Sequence, residues 1–259
     1  MSVTAYELKC RCASAYASGA ARFLLGDTLH PGGAELTERL VDSLALSPRS
    51  TVIDVACGPG RSTVRAAARS GSLAIGIDLS SESLADARGH SAALGPASRA
   101  AFVRGDAESL PIGDGTVDGV LCECALCTFP DPAAAARELV RVLRPGGRLA
   151  LSDVVADPPR LPERLRTLEA HVACVAGART LADLVLLLED AGVAVESAER
   201  HDDALTALVE RIEGRLRLAR LLEPARAADV SVGLELVKEA RSALASGALG
   251  YATVIGDRP

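Results

Sequence analysis

A glycine loop set between a strand and a helix constrains this chain more than any other feature. Thr51-Val52-Ile53-Asp54-Val55 is a short, apolar, β-branched run that reads as a buried strand. It meets Ala56-Cys57-Gly58-Pro59-Gly60, and a helix follows from Ser62 to Arg69. The alternation then repeats. Leu73-Ala74-Ile75-Gly76-Ile77 is a second buried strand ending at Asp78, and Ser80 or Ser81 caps a helix that turns Leu84 and Ala87 inward. Ala101-Phe102-Val103 is a third strand, ending at Gly105-Asp106, and Val117 to Cys122 is a fourth. Pro132 opens a helix that runs to Leu143, Pro145-Gly146-Gly147 breaks it, and Arg148 to Ser152 is a fifth strand. Strands alternating with helices imply an α/β fold whose parallel sheet is covered on both faces.

The flanks are more helical. Residues 3–26 read as helix, His30-Pro31-Gly32-Gly33 as a turn, and Ala34 to Leu46 as an amphipathic helix with Leu36, Leu40, Val41 and Leu44 on one face. Beyond Asp153, residues 161–175, 180–191, 203–222 and 230–245 suit helices, and Val193 to Ala198 suits a sixth strand. Gly250 to Gly256 is strand-like and is expected to return to the sheet as its closing strand. Residues 1–259 then form one domain: a helical lid (1–46), a core (51–153), and substrate-side helices with closing strands (154–259). A separate C-terminal domain is the alternative. A length of 259 residues allows either, and 49% apolar content supplies a large core without staples.

Charge and aromatic content exclude some partners. The net charge of −6 argues against a surface that grips nucleic acid. Three Phe, three Tyr and no Trp leave few platforms for stacking bases. No stretch reaches the roughly 18 apolar residues of a membrane span. No apolar segment near the N-terminus suggests a secretion signal, so the expectation is a cytoplasmic protein with mostly reduced thiols, seven in number. Only two lysines, Lys9 and Lys238, accompany many Ala and Arg, which reads as the codon bias of a GC-rich, bacterial genome.

A loop of this kind lets a ligand approach the backbone, and the helix after it offers free N–H groups. Alone it suits a dinucleotide, a flavin or S-adenosylmethionine (SAM). Two acids narrow the choice. Asp78 ends the second strand, 24 residues after Asp54, where a carboxylate can accept both ribose hydroxyls. Asp106 follows the third strand, where it can meet an adenine amino group. Singly, either acid reads more simply as a turn cap; together with the loop they describe a nucleoside site.

With these residues in place, the sequence resembles the class I SAM-dependent methyltransferases over residues 51–153. Val52 to Gly60 matches their first motif, with Ala56 where Gly is usual, and Arg144-Pro145-Gly146-Gly147 matches the turn before their fifth strand. Gly105-Asp106-Ala107 with Leu110-Pro111 matches the adenine-binding stretch and the loop after it. A nicotinamide dehydrogenase fits poorly, because its G-x-G-x-x-G would need Gly where Thr63 stands. The resemblance implies a Rossmann-like seven-stranded sheet in the order 3-2-1-4-5-7-6, its last strand antiparallel and drawn from residues 249–256. It also implies SAM as cofactor and a small-molecule methyl acceptor. The implied cofactor contacts are Asp54, Ala56, Gly58, Gly60, Asp78, Leu79, Asp106, Ala107 and Cys122.

Three cysteines, Cys122, Cys124 and Cys127, follow the fourth strand, where Cys122 and Cys124 share a face if the strand persists. C-x-C-x-x-C lacks the second pair of a tetrahedral zinc site, so no metal centre is expected. Buried free Cys is commonly a small hydrophobe, and that reading suits Cys57. The stretch Cys122 to Asp131 is similar to that of arsenite methyltransferases, in which a Cys at the position of Cys124 binds trivalent arsenic. Cys174, before Gly177-Ala178, is similar to that family's second arsenic-binding Cys, while Cys127 stands where the family usually has Asn. Soft thiolates suit such a centre. An ordinary O-, N- or C-methyltransferase of natural-product type, with His30 as the best candidate base, stays open beside this reading. So does a binding protein without turnover. His171, three residues before Cys174, is placed to lower its pKa or else simply packs, and His90 and His201 read as surface residues.

Overall fold

The computed structural model describes residues 4–26, 29–95, 99–167, 174–222 and 227–259. Its strands are β1 (Thr51–Val55), β2 (Leu73–Asp78), β3 (Ala100–Arg104), β4 (Val117–Glu123), β5 (Leu143–Ala156), β6 (Ala194–Arg200) and β7 (Leu249–Asp257). They form one sheet in the order β3-β2-β1-β4-β5-β7-β6. The five strands from β3 to β5 are parallel, and β7 runs antiparallel to both β5 and β6. This is the sheet of the class I methyltransferase fold, including the returning last strand.

Each face of the sheet carries its own apolar layer, as the period-2 alternation requires. On one side Ile53, Val120, Leu149 and Leu151 pack with Leu139 of α6 (Pro132–Val142) and with Leu184 and Leu188 of α7 (Leu181–Ala191). On the other, Val52, Leu121 and Tyr251 pack with α3 (Gly33–Ser43), α4 (Arg61–Ser70) and α8 (Asp202–Leu222). Helix α5 (Ser81–Ala93) begins at Ser80, whose hydroxyl accepts from the Ser83 N–H, which settles the choice between Ser80 and Ser81. Helix α9 (Ala227–Ala245) lies against α8.

The helix expected over 3–26 is two helices, α1 (Ala5–Ala17) and α2 (Gly19–Leu25). Extended Ser18 ends the first and caps the second through its hydroxyl. The helix starting at Ala34 stops at Ser43 because Ala45 takes φ +50°, so Leu46 lies beyond it. The helix expected over 161–175 is not found in its described part. That part holds a short 3-10 turn at Glu163–Arg166, just after another at Pro158–Arg160. Prolines 158, 159 and 162 lack the N–H donors a regular helix needs; residues 168–173 lie outside the described residues.

Candidate functional site

A cleft opens beyond the carboxyl ends of β1, β2 and β4, roofed by α1. The glycine loop forms one wall. Ala56, Gly58 and Gly60 all have positive φ, at +59°, +52° and +74°. That explains the usual Gly at the place of Ala56, which holds a conformation costly for a side chain. A Cβ on Gly58 would meet only Leu29, at 3.7 Å, so this glycine leaves open space toward the cleft. A Cβ on Gly60 would strike Phe102 at 2.6 Å and Ala87 at 2.8 Å. Gly60 therefore packs α4 onto the sheet and does not line the cleft.

Three acids of the loop region are held in different ways. Asp54 is buried and accepts from the Thr63 hydroxyl at 2.6 Å. Burial, aided by Glu123 and Asp78, raises its pKa to about 8. Asp78 accepts from the Gly58 N–H on one carboxylate oxygen and the Ser80 N–H on the other, each at 2.8 Å. Burial raises its pKa against the pull of those N–H groups. Asp106 lies two residues past β3, with Oδ1 accepting from the Glu108 N–H at 3.0 Å and Oδ2 2.7 Å from Lys9 Nζ. Leu79 and Ala107 line the cleft beside these acids.

Cys122 corrects an expectation. It is fully buried in the α6 face of the sheet and does not line the cleft. Strand β4 ends at Glu123, and Cys124 takes φ +53°, so the alternation that would place Cys122 and Cys124 together is broken. Cys124 packs toward the opposite layer and lines the cleft.

A sulfur cluster closes the far end. The Cys174 thiol reaches the Cys124 carbonyl at 3.5 Å and pairs with the Tyr16 hydroxyl at 2.8 Å. Cys124 and Cys127 pack in the same apolar layer as Cys174. The neighbouring Cys174 thiol and burial hold Cys124 well above the ordinary thiol range, and burial does the same for Cys127. Cys12 of α1 sits close enough to interact with Cys174, and burial pushes its pKa up to about 11. Asp153 supports the cluster, accepting from the Cys127 N–H at 2.8 Å, and burial raises its pKa to about 7. Cys57 stays on the glycine loop, its thiol facing the Gly58 carbonyl at 3.7 Å. Among the described residues, no three His, Cys, Asp or Glu side chains stand in metal-holding geometry.

Several lining residues escaped the sequence reading. Lys9, Cys12, Ala13 and Tyr16 all face the cleft, at the i, i+3, i+4, i+7 spacing of one helix face. The sequence marks this segment as a lid, but it does not say which residues the face meets. Glu123 also lines the cleft, its carboxylate accepting from Thr37 Oγ1 at 3.0 Å. His30 is buried beside it, Nε2 lying 3.7 Å from Glu123 Oε1 and Nδ1 3.0 Å from the Pro31 carbonyl. His90 is bonded to Arg61 at 2.9 Å and His201 to Thr253 at 3.0 Å, both away from the thiols; His171 lies outside the described residues.

Comparison with known proteins shows the family and the fold. The family model described as a methyltransferase domain matches residues 53–151. The 27-O-demethylrifamycin SV methyltransferase of Amycolatopsis mediterranei is 33% identical over 196 residues, covering 72% of this chain and 71% of that protein. The arsenite methyltransferase of Halobacterium salinarum is 35% identical over 161 residues, covering 61% of this chain but only 41% of that protein. In fold, the chain matches Haemonchus contortus phosphoethanolamine N-methyltransferase 2, solved with SAM, at a TM-score of 0.76 and 17% identity, over 99% of this chain and 57% of that one.

Proposed function

The chain belongs to the class I SAM-dependent methyltransferases, and we propose that it methylates a small thiol-seeking acceptor, trivalent arsenic, held at Cys124 and Cys174. The observation that carries this reading is the approach of the buried Cys174 thiol, 3.5 Å away, to the backbone of Cys124, a residue of the cleft lining 50 positions distant in sequence.

The other end of the cleft suits SAM. Gly58 leaves room for a ligand against the backbone, and Asp78 keeps unused lone pairs for ribose hydroxyls. Asp78, Asp106 and Glu123 make a lining that opposes a pyrophosphate and favours a cationic sulfonium, while burial keeps Asp54 protonated beside them. Asp54, Ala56, Gly58, Asp78, Leu79, Asp106 and Ala107 would hold the cofactor. When bound, SAM supplies an electrophilic methyl group and leaves as the neutral thioether S-adenosylhomocysteine.

The acceptor end works by condensation. Each As–S bond formed with arsenous acid breaks an As–O bond, and the thiol proton leaves with the hydroxide as water. The Cys124 thiol, kept protonated by its Cys174 neighbour and by burial, therefore remains competent, because no free thiolate is required before binding. Soft sulfur ligands then leave electron density on arsenic for attack on the methyl group. Tyr16 must yield its hydrogen bond to Cys174 as the acceptor arrives.

One observation favours a second reading. His30 and Glu123 flank the same cleft, which suits removal of a proton from an oxygen or nitrogen acceptor. Release of S-adenosylhomocysteine, measured with arsenite plus glutathione against a panel of small phenols and amines, separates the two. Turnover with arsenite supports the first, and turnover confined to the panel replaces it with the second.

A further inference from the structure

We infer that Lys9 is the positioning residue that fastens the lid helix over the adenine end of the cleft, sharing Asp106 with the bound cofactor so that lid closure and cofactor binding reinforce each other. This rests on the reading that SAM lies along Asp78 and Asp106.

Lys9 is one of two lysines in the chain. Its Nζ lies 2.7 Å from Asp106 Oδ2 and 2.7 Å from Glu108 Oε2, with only 14% of its side chain exposed. Both carboxylates are anchored elsewhere. Asp106 Oδ1 takes the Glu108 N–H, and Glu108 Oε1 takes the N–H of Asp131, the cap of α6. The two acids are thus held near one point, where an ammonium is needed to offset their repulsion. Two turns further along α1, Tyr16 makes the contact to Cys174. The helix is therefore pinned once at the adenine end and once at the thiol end. A carboxylate oxygen has two lone pairs, so Asp106 Oδ2 can accept from Lys9 and from an adenine amino group together. A ligand that orders Asp106 strengthens the Lys9 contact, and the coupling is reciprocal.

The test uses full-length wild type, Lys9→Met, Lys9→Arg and Asp78→Ala. Calorimetry gives SAM affinity, and amide hydrogen exchange follows residues 5–17 with and without S-adenosylhomocysteine. Lys9→Met should weaken SAM binding about fivefold or more. It should also speed exchange in α1 without ligand and abolish the slowing that the ligand gives wild type. Lys9→Arg should recover most of both. Unchanged affinity and exchange in Lys9→Met would make the pair an inert surface contact. Tighter SAM binding in that variant would make Lys9 a competitor for Asp106. Either result overturns the inference. Asp78→Ala binding SAM like wild type would instead fault the cofactor placement, while ligand-free exchange of α1 still reads the Lys9 contact. Should Lys9→Met not fold, Lys9→Arg at rising salt gives the same comparison; salt-independent exchange in α1 would overturn the inference.

Discussion

The Cys174 thiol lies 3.5 Å from the Cys124 carbonyl oxygen, across 50 residues of chain. Both residues have positive φ, +53° at Cys124 and +66° at Cys174. Each such conformation costs a non-glycine residue on the order of 1–3 kcal/mol and persists only where the surroundings impose it. The strain has a visible result here: it turns Cys124 out of the strand alternation and toward Cys174, with Cys127 and Tyr16 completing the cluster.

Serine at either Cys124 or Cys174 should remove arsenite methylation and leave SAM binding unchanged, because a hard hydroxyl does not replace a soft sulfur. Serine at Cys57 should do neither, since that thiol faces the Gly58 carbonyl and stays out of the cluster. Activity assays paired with calorimetry check this. Full arsenite turnover by Cys174→Ser would remove the second sulfur from the account.

Asp78→Ala should weaken SAM binding by about 2–3 kcal/mol, the scale of hydrogen bonds to a charged group. It also removes the acceptor for the Gly58 and Ser80 N–H groups, so a modest fall in melting temperature is expected beside the binding loss. Calorimetry on the folded variant is the check, and near-wild-type affinity would refute the ribose assignment.

Deleting residues 1–26 should weaken SAM binding or turnover more than it lowers thermal stability, because α1 roofs the cleft and keeps water from it. A truncated protein that melts early yet keeps full activity per folded molecule would make the segment structural packing.

Asp54 yields a pH prediction. Its folded pKa, about 8, lies above the ordinary Asp value of 3.8, so the folded chain holds a proton that the unfolded chain releases. The resulting stability is complete below about pH 4 and is lost as pH rises through about 8. Asp54→Asn keeps a neutral side chain throughout. The melting temperature of wild type should therefore fall relative to Asp54→Asn between pH 5 and pH 8.5, by roughly 2–4 °C for each kcal/mol. A gap that does not change with pH would contradict a protonated Asp54.

The fold was legible because a parallel sheet buried on both faces writes its strands as short apolar runs, and Asp54, Asp78 and Gly105-Asp106 mark where three of them end. The last antiparallel strand came from resemblance to a family, since periodicity alone says nothing of strand order. Cys122 was misplaced because alternation was extended through Cys124, whose positive φ no residue type announces. Lys9 and Glu123 were missed because their partners lie 97 and 86 residues away, at Asp106 and Thr37. Such contacts are created by the tertiary fold and leave no local pattern.

The most direct measurement is arsenic K-edge X-ray absorption on the protein with one equivalent of arsenite, in wild type and in Cys174→Ser. The account predicts sulfur neighbours around arsenic from at least Cys124 and Cys174, with one sulfur lost in the variant. Arsenic surrounded by oxygen alone in wild type, or a spectrum unaltered by Cys174→Ser, would contradict it.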